Sequence, residues 1–398
     1  MEDCAGSWPG GPSGATADAA ESLARALAGT AVERDRKGGT AKDERDLIRA
    51  SGLLGLSVPR AFGGSGASWS QTLAVVRRLA RSDGSLAHLF GFHHLLVATV
   101  RLFGDEAQWR LAYGETAASS LFWGNALNPL DTRTRIAENG RGAFSINGTK
   151  TFCSGASDSD RLIVSALDSE RRLVIVAVPT SRDGIRIHDD WDAIGQRQTD
   201  SGSVTFEDLR VAASEILRSP GPLGSVFASL RPCLAQLILA NVFLGIGEGA
   251  FEAARDYTRQ RARPWISSGV ASSATDPYIL RHYGELWLEL EGARLLADAA
   301  GRALDEAWAS GDRLTREERG ACAIAIAAAK VATSRAGLDV ASRLFEVTGA
   351  RATAASAGMD RFWRNLRTHT LHDPVDYKLN ELGQWALNDT LPIPSFYS

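Results

Sequence analysis

The sequence predicts an α+β chain in three parts: a helical N-terminal domain over residues 16–116, a central β domain over 117–220 and a C-terminal helical bundle over 221–398, after a loose tail over 1–15. Three observations predict it. The texture switches from helical to β and back again. Asn-Gly steps at Asn139-Gly140 and Asn147-Gly148 punctuate the middle as hairpin signals. After Pro222 come three runs of more than twenty residues, with apolar stripes too wide for a single buried face.

Each element follows from its own residues. MEDCAGSWPGGPSGATADAA is acidic and rich in Gly and Pro, unlike a secretory signal, and predicts the tail. DAAESLARALAGTAVERD has helical spacing, and KDERDLIRASGLLGLSVPRAFGG is a helix closed by a Gly/Pro stop. SWSQTLAVVRRLARSDGS and SLAHLFGFHHLLVATVRLFG are two more helices, parted at Asp83-Gly84. TRTRIAENGRGAFSINGTKTFCSGA alternates, DRLIVSALDSERRLVIVAVP is two buried strands around a turn, and SGSVTFEDLRV is another strand. The long helices cover Leu234–Ala262, Asp276–Trp308 and Thr315–Gly349.

The chain has 398 residues, 44% hydrophobic and 23% charged, enough for a large core. A net charge of -3 argues against a general nucleic-acid binder. Cys4, Cys153, Cys233 and Cys322 form no CxxC pair and read as reduced thiols, so the cytoplasm is the expected compartment. The apolar run Cys233–Gly247 is too short and too polar to span a bilayer, and no membrane partner is expected.

Several motifs have a plain and a sharper reading. GIGEGA, residues 245–250, lies inside a helical pattern, so its glycines predict close helix packing rather than a dinucleotide site. Arg263 in RARPWISSG and Arg351 in GARA are solvated charges or bidentate phosphate ligands; the residues alone favour the first. Ser154 in FCSGASDSD is turn chemistry or a ligand donor, and Trp191 caps the β domain or covers a planar ligand. DRFWRNLRTHTLHDP sets His369 and His372 three apart before a proline stop. No acidic partner gives them metal-ligand spacing, and no metal is expected.

Together, GLLGLSVPRAFGGSGAS, WGNALNPLD, NGTKTFCSGA, WDAIGQRQTDSGSVTFEDLRV and the long helices resemble the acyl-CoA dehydrogenase superfamily over nearly the whole chain. That resemblance implies a helical domain, a β domain and a C-terminal four-helix bundle, flavin between sheet and bundle, and a homotetramer. The dehydrogenases use a glutamate base; at its usual place this chain reads RTHTLHDP, and Glu252 is the nearest alternative. FWRNLRTHTLHDP, GSLAHLFG, AIGQRQTDSGS and QRARPW are more specifically similar to the flavin-dependent monooxygenase branch, that of the dibenzothiophene monooxygenases. The resemblance implies reduced FMN, rather than FAD, delivered by an NAD(P)H-dependent flavin reductase. With oxygen it forms a 4a-hydroperoxyflavin that oxygenates a thiophene, an indole or another flat heteroaromatic.

Carried over residue by residue, His88 and His372 would serve the peroxide as hydrogen-bond partners or proton donors. Asn125 and Ser154 would contact the isoalloxazine and assist the chemistry, Trp191 would flank the ring, and His369 would border the cofactor. Arg263 and Arg351 would bind phosphate, across a subunit interface, which reverses the reading from the residues alone. Phe92 and His93 of GFHH would line the substrate pocket. The dibenzothiophene enzymes carry a tyrosine where this chain has Phe92, and ALNPLDTRT also departs from them. Two competing readings are a flavin-dependent acyl-CoA dehydrogenase, which the missing glutamate opposes, and a non-catalytic flavin-binding protein.

Overall fold

The computed structural model describes residues 12, 14–140 and 142–398. The tail expected over 1–15 lies, but for Pro12, Gly14 and Ala15, outside the described residues. Five helices come first: α1 (Ala15–Lys37), α2 (Lys42–Ala50), α3 (Trp69–Ser82), α4 (Gly84–Phe103) and α5 (Glu106–Ser119). Asp83 closes α3 and caps α4 by accepting from the Leu86 amide at 3.0 Å, as the Asp-Gly break predicts. α4 is apolar nearly all round and is buried along almost its whole length.

The sheet comprises β1 (Trp123–Ala126), β2 (Arg135–Glu138), β3 (Ala143–Lys150), β4 (Arg161–Leu167), β5 (Leu173–Pro179), β6 (Ile185–Ile187) and β7 (Val204–Ala212). Its order is β1-β4-β2-β3-β7-β6. β5 takes the other edge of β4, so β1 and β2 share one edge. Asn139-Gly140 forms the expected turn between β2 and β3, the Asn139 amide donating to the Ala143 carbonyl at 2.8 Å. Asn147-Gly148 does not turn the chain. It forms a bulge inside β3, where Gly148 has φ +128° and an added Cβ would meet the Arg133 carbonyl at 2.4 Å. An Asn-Gly step supplies a positive φ, and here a bulge uses it.

The remaining helices are α6 (Leu230–Gln260), α7 (Pro277–Ser310), α8 (Arg316–Thr348), α9 (Asp360–His369) and α10 (Val375–Asn388). α6, α7 and α8 form the body of the bundle, α10 lies along α8 as its fourth member, and α9 crosses the α6–α8 seam towards α4. α3 and α4 pack on α6, so the N-terminal helices and the bundle share one core, while the sheet has its own around Ile146, Val164, Val176 and Phe206. The glycines of GIGEGA make that helix seam: a Cβ at Gly245 would lie 2.4 Å from the Arg77 carbonyl, and one at Gly249 2.2 Å from the Arg81 carbonyl. α6 begins four residues before the expected Leu234 and ends two before the expected Ala262. By length and composition α4, α6 and α8 each suffice to cross a membrane, but most of each apolar stretch is covered by the rest of the chain.

Candidate active site

A cavity of about 740 Å³ opens where the two cores meet. α4 turns His88, Phe92 and Leu95 onto it, positions i, i+4 and i+7 of one helical face. α6 contributes Arg231, Ala235 and Gln236, and the end of α9 contributes Thr368 and His369, followed by Leu371 and His372. The sheet side supplies Asn125 of β1, the β1–β2 loop, Thr151 to Ser154 after β3, and Trp191 with the loop before β7. Phe396 and Tyr397 of the C-terminal segment complete the wall.

The histidines meet here because α9 stops. His369 is its last residue, and the His372 amide donates to the His369 carbonyl at 3.1 Å in the turn before Pro374. The His369 ring stands edge-on to His88, centroids 4.5 Å apart, and neither of its buried nitrogens has a partner among the described residues. His88 Nδ1 is likewise unpartnered. Burial pushes His88 down to about 3, with His372 adding to it, and burial and the neighbouring His88 push His369 well below its ordinary value. Both rings are neutral at pH 7.

His372 is held differently. Its side chain is 40% exposed at the cavity rim, and Nδ1 faces Asp373 Oδ1 at 2.9 Å. Burial would raise the Asp373 carboxyl, but the His372 hydrogen bond and the Lys330 ammonium at 3.0 Å hold it well below the usual carboxylate range. An ionised carboxylate only accepts, so Nδ1 carries the proton. Nε2 is left to accept when the ring is neutral and to donate when it is charged. Lys330 also donates to Gln236 Oε1 at 2.6 Å, which ties the histidine to α6 and α8.

On the sheet side, the Asn125 amide donates to the Ser154 carbonyl at 3.0 Å and Asn125 Nδ2 to the Phe152 carbonyl at 3.3 Å. Ser154 Oγ lies 2.7 Å from Ser201 Oγ, which donates to Thr199 Oγ1 at 2.7 Å. Arg45, fully buried, pairs with Asp200 at 3.0 Å and donates to the Gly155 carbonyl at 2.8 Å, clamping these two loops together. Trp191 Nε1 donates to the Gln196 carbonyl at 2.8 Å, which fixes the indole at the cavity edge.

The structure thus brings together His88, His369, His372, Asn125, Ser154, Trp191 and Phe92, which the sequence placed far apart. It corrects one expectation, that of His93, and it places Arg263, Arg351 and Glu252 outside this cavity. His93 does not line the cavity: one position on from Phe92, it points about 100° away, with Nε2 2.9 Å from the Leu54 carbonyl and Nδ1 accepting from the Trp123 amide at 3.3 Å. Arg263 and Arg351 are exposed beyond the ends of α6 and α8, and neither reaches the cavity of its own chain. Glu252 is turned to Arg81 at 3.3 Å on the α3 side and cannot act as a base here. Sequence reasoning missed Arg231, Gln236 and Tyr397. For the first two the available signal was a polar side chain within the apolar start of a long helix.

The cavity suits a flat, polar-edged cofactor. Gln196 Oε1 and Thr368 Oγ1 are buried without partners among the described residues, and both side chains line the cavity with the histidines, Asn125 and Ser154. Buried polar atoms of this kind are ordinarily satisfied, so the arrangement calls for a ligand that offers hydrogen-bonding groups along one edge while its faces meet Trp191 and Phe92.

Known proteins extend this picture. Residues 15–117, 124–209 and 237–377 match the N-terminal, middle and C-terminal domains of acyl-CoA dehydrogenase. The chain is 61% identical over 382 residues to the probable FMNH2-dependent monooxygenase SfnC of Pseudomonas putida, covering 94% of this chain and 96% of that one. Among solved structures it resembles methanesulfinate monooxygenase MsuC from Pseudomonas fluorescens, with TM-score 0.95 and 59% identity over 96% of this chain and 99% of that one. It also resembles the dibenzothiophene monooxygenase TdsC from Paenibacillus sp. A11-2 in its complex with FMN and indole, with TM-score 0.93 and 41% identity over 96% of this chain and 100% of that one.

Proposed function

The chain belongs to the acyl-CoA dehydrogenase family, and from that premise we propose that it is a two-component monooxygenase using reduced FMN and oxygen to oxygenate an organosulfur compound. The observation that carries this reading is the convergence of His88, His369 and His372 on a cavity that lacks a usable carboxylate base. The carboxylate on the wall, Asp131, is bound by Arg133 at 2.6 Å and by Thr151, and is held well below its ordinary value, chiefly by the Arg133 hydrogen bond. It is a poor base, which argues against α-proton abstraction from an acyl thioester.

Reduced FMN with oxygen supplies one oxygen atom to the substrate, while the other leaves as water. The protein's share is positional. Asn125, Ser154 and Gln196 would hold the flavin by hydrogen bonds, and Trp191 and Phe92 would help to exclude water from it. His372, oriented by the Asp373–Lys330 pair, moves a proton at Nε2. Neutral His88 and His369 place uncharged hydrogen-bonding nitrogens in the dry interior. Arg263 and Arg351 are assigned to the flavin phosphate of a neighbouring subunit in a homotetramer, and a flavin reductase is the transient partner.

Two substrate classes fit. The aromatic wall suits the flat heteroaromatics that the resemblance implies, in keeping with the indole bound to TdsC. A small sulfinate, the substrate named for MsuC, is favoured by the buried Arg231. The test is isotopic. With a reductase, NADH, FMN and labelled oxygen gas, one labelled atom is expected in the oxidised sulfur product. Reduction of an electron-acceptor dye by an acyl-CoA, without oxygen incorporation, would instead establish the dehydrogenase.

A further inference from the structure

We propose that Arg231 is the specificity-determining residue of this cavity, binding the two oxygens of a small sulfur oxyanion of the alkanesulfinate class, with Tyr397 closing the subsite. The proposal rests on the monooxygenase reading above and decides between its two substrate classes.

Arg231 lies in the first turn of α6, lines the cavity and is only 6% exposed. Among the described residues its side chain makes one hydrogen bond, from Nε to Thr99 Oγ1 at 3.3 Å, and neither terminal nitrogen has a protein partner. Two of the other buried arginines are compensated by carboxylates, and the third, Arg319, donates to Ser229 Oγ and to the Ser229 carbonyl, each at 3.1 Å. Arg45 has Asp158 at 3.2 Å and Asp200 at 3.0 Å, and Arg34 has Asp83 at 2.6 Å. Among the described residues no carboxylate pairs with Arg231; its ionisable neighbour is the Tyr397 phenol, which burial keeps neutral at pH 7. Burial lowers the guanidinium to about 10, so it stays charged at pH 7. A buried, unpaired cation facing a cavity is costly in the empty protein, and an anionic ligand supplies the missing charge. The planar fork matches two oxygens on one atom.

Tyr397 joins this subsite to the chemistry. Its ring centroid is 6.2 Å from that of His372, so the segment that neighbours Arg231 also neighbours the proposed proton-transfer group. A neutral polycyclic substrate would leave Arg231 unpaired and would compete with Phe396 and Tyr397 for space. A sulfinate satisfies the charge and is small. The reaction balances: the sulfur lone pair forms the new S–O bond as the O–O bond breaks, so the sulfinate becomes a sulfonate. Sulfur and reduced flavin each give two electrons to oxygen, and the second oxygen atom leaves as water.

The alternative source of the anion is the flavin phosphate, and the experiment separates the two. Methanesulfinate binding to the flavin-free protein is measured by calorimetry, together with KM for methanesulfinate and for benzothiophene, and the affinities for FMN and phosphate-free riboflavin. In Arg231→Gln, methanesulfinate binding and KM are expected to weaken about a hundredfold, with both flavins bound within threefold of the parent. Arg231→Lys is expected to recover part of the loss. Because an unpaired charge is removed, the melting temperature of the ligand-free Arg231→Gln protein should not fall; a residue needed for packing would lower it. Unchanged methanesulfinate affinity overturns the proposal, as does a variant that loses FMN but keeps riboflavin. So does a parent enzyme that oxygenates benzothiophene in preference to methanesulfinate. If the parent transfers oxygen to no sulfur compound at all, the monooxygenase reading fails first, whatever the variants bind.

Discussion

His372 and His369 stand three residues apart, yet the chain holds them for different work. His372 has a carboxylate partner and partial access to solvent, so it can exchange protons; His369 is sealed in with His88. Replacing His372 by Phe keeps bulk and removes the nitrogen. FMN affinity should stay within about threefold, a change below 1 kcal/mol, while oxygenated product per reduced flavin falls about a hundredfold or more and hydrogen peroxide rises. Equal coupling in parent and variant would make the ring structural. The sealed histidines predict a pH dependence of stability. Their folded-state values lie below the unfolded value of about 6.5, so their preference for the native state is intact above that pH. As pH falls below it, the unfolded chain takes up protons that the buried rings refuse. Each such ring then costs about 1.4 kcal/mol per pH unit, for His88 down to about pH 3. Urea unfolding at pH 7, 6 and 5 should show this slope, and His88→Asn should reduce it by about one proton. An unaltered slope in the variant would place the titration elsewhere.

At the scale of elements, the seam between α3 and α6 lets the N-terminal helices and the bundle share a core. Gly245→Ala puts a Cβ against a backbone carbonyl, which cannot rotate away. A loss of about 1–3 kcal/mol is expected in chemical denaturation. Gly29→Ala in α1, with open space around it, should instead be neutral or stabilising by up to about 1 kcal/mol. The seam was legible in the sequence because Gly245 and Gly249, four apart on one face of an apolar helix, have few other uses. So were the hairpin at Asn139-Gly140, the helix break at Asp83 and the stop at Pro374, each a local instruction. The bulge at Gly148 was not, because a positive φ serves a turn or a bulge and the partner strand decides between them. The site was legible only in part, and for the same reason. His88 and His372 carry rare side chains and a family resemblance. Arg231 becomes conspicuous only once its lack of a carboxylate is known, and that is a fact about packing between α4, α6 and the C-terminal segment. His93 failed because both histidines of the pair turn away from the cavity, His93 to the Leu54 carbonyl and His94 to Ser57 Oγ.

For the whole molecule, one chain leaves too much apolar surface on its longest helix. Leu280, Trp287, Leu288 and Leu295 of α7 are each more than half exposed and recur at helical spacing along one face. Arg263 and Arg351 lie outside their own cavity, so the proposed phosphate site is complete only if a neighbour supplies it. The homotetramer proposed above would cover this face and share the sites between subunits. Leu288→Glu should lower the mass seen by light scattering and weaken FMN binding together; a parent protein that is monomeric at working concentration removes the premise. Arg263→Ala should cost about 1.5–3 kcal/mol of FMN affinity, the scale of a charge-assisted hydrogen bond, but that loss alone does not say whose site the arginine serves. A mixing experiment does. Arg263→Ala subunits keep His372, and His372→Phe subunits keep Arg263. If the arginine acted within its own chain, every site in a mixed tetramer would carry one defect and activity would stay at the level of the inactive parents. If it acts across the interface, a site built on an Arg263→Ala subunit is whole whenever its neighbour is of the other type. Random assembly of equal amounts then restores about a quarter of the sites. Coexpressed, doubly tagged tetramers assayed for product per reduced flavin give the answer, and recovery no greater than in either variant alone would return Arg263 to the solvated surface.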